Sequence, residues 1–95
     1  MTRRMPKYGA AVDVNQTEIK EALEDAGCDV EHIRTPVDLA VGVQGKTFLL
    51  EVKRPKGGRK TPAQIKFFEK WRGHVAIVKT PEEALAAVGL SGAKQ

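Results

Sequence analysis

Two aliphatic runs, Asp38 to Val43 and Thr47 to Lys53, stand on either side of Gln44, Gly45 and Lys46. Such runs around a short glycine-containing turn define two paired strands. Because side chains alternate across a strand, Phe48, Leu50 and Val52 share one face while Leu49, Glu51 and Lys53 share the other. In the first run Leu39, Val41 and Val43 oppose Asp38, Ala40 and Gly42. Burying the aliphatic residues of both strands on one side fixes the parity of the register. Two registers satisfy it. With Gln44 and Gly45 as a two-residue turn, Asp38 faces Glu51; with Gly45 and Lys46, it faces Lys53 and lies one diagonal from Glu51. In both, two acids and a lysine converge on the second face of the sheet.

The remaining punctuation supplies the other elements. Asn15 reads as the cap of a first helix whose Ile19, Ala22, Leu23 and Ala26 fall at helical spacing, with Gly27 as its stop. A strand is expected from Cys28 to Ile33. Thr61, Pro62 and Gln64 form a capping-box start for a second helix carrying Ile65, Phe68 and Trp71 at helical spacing. Gly73 ends that helix. The apolar run His74 to Val78 predicts a strand covered on both faces and reached by a parallel crossover. Thr80, Pro81 and Glu83 open a last short helix that runs to about Val88. The order helix, three strands, helix, strand, helix predicts a single α/β domain over 14–90, a mixed sheet flanked by helices. Residues 1–13, with Arg3, Arg4 and Lys7, read as a basic arm, and 91–95 as a frayed tail.

A chain of 95 residues has room for one core, and with 5% aromatic residues that core must be aliphatic. The single cysteine, Cys28, excludes an internal disulfide and reads as a small buried hydrophobe rather than a nucleophile. His32 and His74 lack ligand spacing, which argues against zinc. Without a signal peptide or an apolar run long enough for a bilayer, the expected location is the cytoplasm, the host's if the chain is phage-encoded. The net charge of +4 is concentrated: Lys53, Arg54, Lys56, Arg59, Lys60, Lys66, Lys70 and Arg72 face one acid, Glu69, in that stretch. A solvated basic surface would account for this, and so would a polyanionic partner.

Two adjoining carboxylates repel and each tends to hold a proton unless a cation lies between them. A divalent metal resolves the conflict. Oxygen-only ligation by Asp38, Glu51 and the backbone carbonyl of Val52 suits Mg²⁺ or Mn²⁺ rather than zinc, with waters and a substrate phosphate completing the shell. Lys53 beside the metal is suited to orient a water for attack and to stabilise charge at phosphorus. The simpler alternative is a surface salt bridge between Lys53 and one of the acids. Against it stand the facing acid, the small Ala40 and Gly42 beside it, and the basic segment downstream.

Pro36-x-Asp38, twelve residues, then Glu51-Val52-Lys53 resembles the PD-(D/E)xK nuclease signature. More narrowly, "LLEVKRPKGGRKTPAQIKFFEKW" resembles the virus-type replication-repair nuclease (VRR-NUC) domain, in which a strand ending in E-V-K precedes a Gly-rich basic loop and a helix opened by T-x-x-Q. The likeness runs from about Asn15 to Leu85. It implies a restriction-endonuclease-like αβββαβ core and metal held by Asp38 and Glu51. It also implies Lys53 as catalytic lysine, Gln64 lining the site, and an acid from the first helix, Glu18 ahead of Glu21. The sequence departs from the family in one respect: a valine separates Pro36 from Asp38, where proline usually precedes the aspartate directly.

The implied activity is Mg²⁺- or Mn²⁺-dependent endonucleolytic cleavage of DNA in replication, repair or recombination. Branched substrates such as Holliday junctions are implied, cut by a homodimer. Arg54, Lys56, Arg59, Lys60 and Lys66 are the expected contacts to the DNA backbone. The competing readings are a nucleic-acid-binding module without catalysis and a restriction-like or nicking nuclease.

Overall fold

The computed structural model describes residues 14–54 and 60–90. Helix α1 (Val14–Asp25) leads into strand β1 (Asp29–His32), followed by β2 (Leu39–Val43) and β3 (Lys46–Val52). Helix α2 (Pro62–Lys70), strand β4 (Val75–Val78) and helix α3 (Pro81–Ala87) complete the order. The strands lie side by side as β1-β2-β3-β4; the first two pairings are antiparallel, and β4 runs parallel to β3. This is a small mixed α/β protein with one four-stranded mixed sheet and three helices. The basic arm and the tail expected at 1–13 and 91–95 lie outside the described residues, as do Lys56 and Arg59.

Of the two hairpin registers, the structure takes the one with Gln44 and Gly45 in the turn: Val43 pairs with Lys46 and Leu39 with Leu50. Gln44 and Gly45 are the turn, with φ of 54° and 79°. Two consecutive left-handed residues make a type I′ turn, whose twist matches that of the strands it joins. Gly45 reaches this conformation without the steric cost that a Cβ would bring.

One face of the sheet carries the core. Leu39, Val41, Phe48, Leu50, Val52 and Val78 project there and pack with Ile19 and Leu23 of α1 and Ala84 and Val88 of α3. Cys28 and Val30 close the margin, and burial together with the charge of Asp29 pushes the Cys28 thiol up, which leaves it a packing residue. Gly27, at φ 99°, ends α1 as its position implies.

Asn15, expected as a cap, instead lies inside the described helix. Its side-chain amide donates to the carbonyls of Lys53 at 2.8 Å and Lys79 at 3.0 Å, clamping the ends of β3 and β4 to α1.

The opposite face is covered less completely. Helix α2 begins as its sequence dictates: Thr61 Oγ1 accepts from the Gln64 amide, and Gln64 Oε1 accepts from the Thr61 amide. None of its residues is fully buried, and Ile65 and Trp71, which the sequence sets at helical spacing, are 44% and 43% exposed. Strand β4 likewise has one covered face: Val78 is buried, whereas Ile77 is 37% exposed. The double coverage expected of it does not occur: Val75 and Ala76 are half-buried and Ile77 is exposed. Helix α3 starts at a Thr80 cap, with Glu83 reaching back to the Lys79 amide.

The turn geometry sets a direct expectation for stability. Gly45→Ala forces a Cβ into a left-handed conformation and lowers stability by about 1 kcal/mol. Gln44→Asn, which tolerates that region better, raises it. Urea unfolding should show the two midpoints moving in opposite directions with the slope unchanged.

A candidate metal centre at the end of the hairpin

One step beyond the Leu39·Leu50 pair, the same register sets Asp38 directly opposite Glu51. Since Leu39 and Leu50 point into the core, Asp38 and Glu51 point to the other face, as the alternation requires. Strand β2 ends at Leu39, so the amide of Val52 has lost its ladder partner. Asp38 supplies the replacement: its Oδ2 accepts from the Val52 amide at 2.8 Å. The backbone of Asp38 is fixed from the other flank, where its carbonyl accepts from Ile33 at 2.9 Å. Val37 beside it is fully buried. The extra residue between Pro36 and Asp38 therefore serves as an anchor in the interior, and the aspartate still faces the glutamate.

Glu51 is 4% exposed. Its Oε2 lies 3.0 Å from Lys53 Nζ, an ion pair whose side chains are 6% and 13% exposed. Its Oε1 is buried without a hydrogen-bond partner. Lys53 Nζ also reaches Gln64 Oε1 at 3.4 Å, so the oxygen that closes the start of α2 also steadies the lysine. The β3 amides of Leu49 and Lys53 donate across to β4, at His74 and Val78, which by alternation turns the Val52 carbonyl toward the β2 flank where Asp38 stands.

The electrostatics match the geometry. Burial raises the Asp38 carboxyl above its ordinary value; the Val52 amide opposes this, the charge of Glu51 and a proton shared with it raise it further, and Lys53 lowers it. The arrangement holds two negative charges and one positive in a poorly hydrated corner. A cation or a proton relieves it.

Asp38, Glu51, Lys53 and Gln64 are thus brought together. Glu18 and Glu21 are exposed on the side of α1 away from Ile19 and Leu23, and among the described residues no three His, Cys, Asp or Glu side chains form a metal-holding group. Arg54, Lys60 and Lys66 are exposed near the start of α2. Sequence reasoning missed the part of Asn15, whose bond to the Lys53 carbonyl fixes the backbone of the site lysine. No spacing signals it, because both acceptors are main-chain atoms far away in sequence. Among the described residues no helix is long and apolar enough to cross a membrane.

Fold and site together define a small mixed α/β protein with a carboxylate pair and a lysine at the open end of a hairpin. Neither family models, curated proteins nor solved structures give a match to this chain.

The strain at this corner is measurable. A raised Asp38 pKa means that the native state takes up the proton before the unfolded chain does, so Asp38 costs stability at neutral pH. That cost is relieved as pH falls through the raised value toward 3.8. In EDTA, Asp38→Asn should therefore raise the urea midpoint at pH 7 and flatten the stability profile between pH 7 and that lower limit. Lys53→Ala should do the reverse, since it leaves Glu51 buried without its ammonium at a cost of about 3 kcal/mol.

Proposed function

We propose that this protein is a metal-dependent endodeoxyribonuclease of the PD-(D/E)xK type, akin to VRR-NUC domains, with Asp38, Glu51 and Lys53 as its working residues. The observation that carries the reading is the opposed carboxylate pair with an unsatisfied buried Glu51 oxygen and a lysine 3.0 Å from its other oxygen. The element order and the two antiparallel pairings followed by a parallel one support a restriction-endonuclease-like core.

The donor set fits a hard divalent ion. Mg²⁺ and Mn²⁺ take oxygen ligands, retain waters and complete their shell from phosphate, so two carboxylates and the Val52 carbonyl suffice. When bound, such an ion neutralises the paired acids and activates water for attack on phosphorus.

The chain's own residues do the rest. Asp38 is oriented by the Val52 amide, so its second oxygen is set without a search through rotamers. Lys53, held by Glu51 and Gln64 and anchored at its carbonyl by Asn15, offers an ammonium to charge developing on a phosphoryl oxygen. Arg54, Lys60 and Lys66 supply positive charge for the phosphate backbone, a contact that positions a substrate without reading its sequence. The proposal does not require an acid from α1. Phosphate contacts of this kind leave selectivity to substrate shape, with branched DNA such as a four-way junction as the favoured target. A symmetric dimer would present two such centres to two strands.

Incubation of a four-way junction and a linear duplex with Mg²⁺, Mn²⁺ or EDTA tests this. Cleavage is expected only with metal and should fall at least about 100-fold in Asp38→Asn. The loss is the more telling because that variant is expected to be the more stable protein. Product formed in EDTA, or undiminished in both Asp38→Asn and Lys53→Ala, overturns the site. Binding that is insensitive to metal, with no product under any condition, identifies a nucleic-acid-binding module instead. Equal rates on both substrates remove the preference for branches. Lys60→Ala should weaken binding to all sequences alike and reduce the salt slope by about one.

A further inference from the structure

Gln64, Phe67 and Phe68 of α2 and Trp71, the residue that caps its C-terminus, fall at i, i+3, i+4 and i+7 and so share one side. At one end of that line Gln64 touches Lys53. Trp71 lies two turns further along, about 10 Å by the helical rise. It is the chain's only tryptophan, and it is 43% exposed.

The indole is exposed but not loose. Its ring is tilted 31° against that of Phe67, with centroids 5.1 Å apart. On another side it rests on Gly73, where a Cβ would come within 2.9 Å of the indole Nε1. Phe67 in turn meets Phe68 edge to face, and Lys60 Nζ lies 4.7 Å from the centre of the Phe68 ring. Lys70 and Arg72, which flank Trp71 in sequence, are exposed, with Glu69 as the one acid between Lys60 and Arg72.

Rigid, partly exposed aromatic rings with a positive perimeter match the chemistry of a nucleobase and its phosphates. The ring supplies a stacking face, and the cations hold the backbone. A paired base within a duplex has both faces covered by its neighbours and cannot use such a platform. An unpaired one can. A second copy of the chain fits poorly, because a two-fold contact here would oppose one basic face to its like.

We propose that Trp71 is a stacking platform for an unpaired nucleotide, so that the substrate class of the neighbouring site is nucleic acid with a single-stranded or splayed segment. Its place beside a cleavage centre rests on the nuclease reading; the stacking itself does not.

The test uses the full chain in EDTA, where binding is separated from cleavage. Fluorescence of the sole tryptophan should be quenched by a twelve-residue oligothymidine and little changed by a blunt duplex. Trp71→Ala should bind the oligothymidine roughly ten-fold more weakly while duplex affinity changes less than about two-fold. Trp71→Phe should fall between, and Gly73→Ala, which displaces the indole without altering charge, should shift in the direction of Trp71→Ala. Wild-type affinity for the single strand in Trp71→Ala, or equal losses on both ligands, overturns the platform. So does a DNA-free protein that sediments as a dimer and becomes monomeric in Trp71→Ala, which would make this face an interface between copies. Quenching and selective loss without any metal-dependent cleavage leave the platform standing and remove the nuclease. Metal-dependent cleavage with no selective loss does the opposite.

Discussion

The bond from the Val52 amide to Asp38 Oδ2 joins the fold to the candidate site. It forms where β3 runs two residues past the last pair with β2, so a side chain takes over a ladder position that main chain occupies everywhere else along the hairpin. The replacement keeps the Val52 amide satisfied, which protects the end of the sheet. It also holds a carboxylate against a second carboxylate, which the sheet alone would not tolerate. Cooperation between these two outcomes depends on register: a slip of one residue would turn Asp38 into the core and Leu39 out of it.

Around that bond, the supports come from every side of the sheet. Asn15 reaches from α1 to the Lys53 carbonyl, and Gln64 reaches from α2 to the Lys53 ammonium. The lysine is thereby held at both its backbone and its tip by helices on opposite faces. Buried ion pairs seldom repay their dehydration in stability. Here the pair is kept with one glutamate oxygen unsatisfied.

Much of this was legible in the residues. Period-two alternation and the short turn defined the hairpin, and the requirement to bury Leu39, Val41, Leu50 and Val52 together set Asp38 and Glu51 on a common face. Sequence left two registers open, and the left-handed conformations of Gln44 and Gly45 decide between them. The Thr-Pro starts of α2 and α3 were plain because a cap is a local matter. Less legible were features that depend on distant partners. The stripe Ile65, Phe68, Trp71 has helical spacing, but spacing does not say whether anything lies opposite to receive it. The apolar run of β4 likewise names a strand without naming what covers it. Asn15 looked like a cap because sequence shows only the local amides its oxygen could accept from, not the distant carbonyls to which its amide donates. Glu18, the acid that the family likeness implied from the first helix, lies on the outward side of α1.

Among the described residues β4 closes the sheet with an unpaired edge, Val75 to Val78, flanked by His74 and Lys79. Open edges rich in valine and isoleucine invite further strands to add on, and natural sheets blunt them with charge, proline or brevity. Within the strand this one relies on brevity. Four residues offer too few hydrogen bonds to hold a stray strand firmly, and after Lys79 the pair Thr80 and Pro81 turns the chain into a helix before the edge can lengthen. The proline that starts α3 thus also guards against aggregation, limiting how far the sheet can be extended from outside.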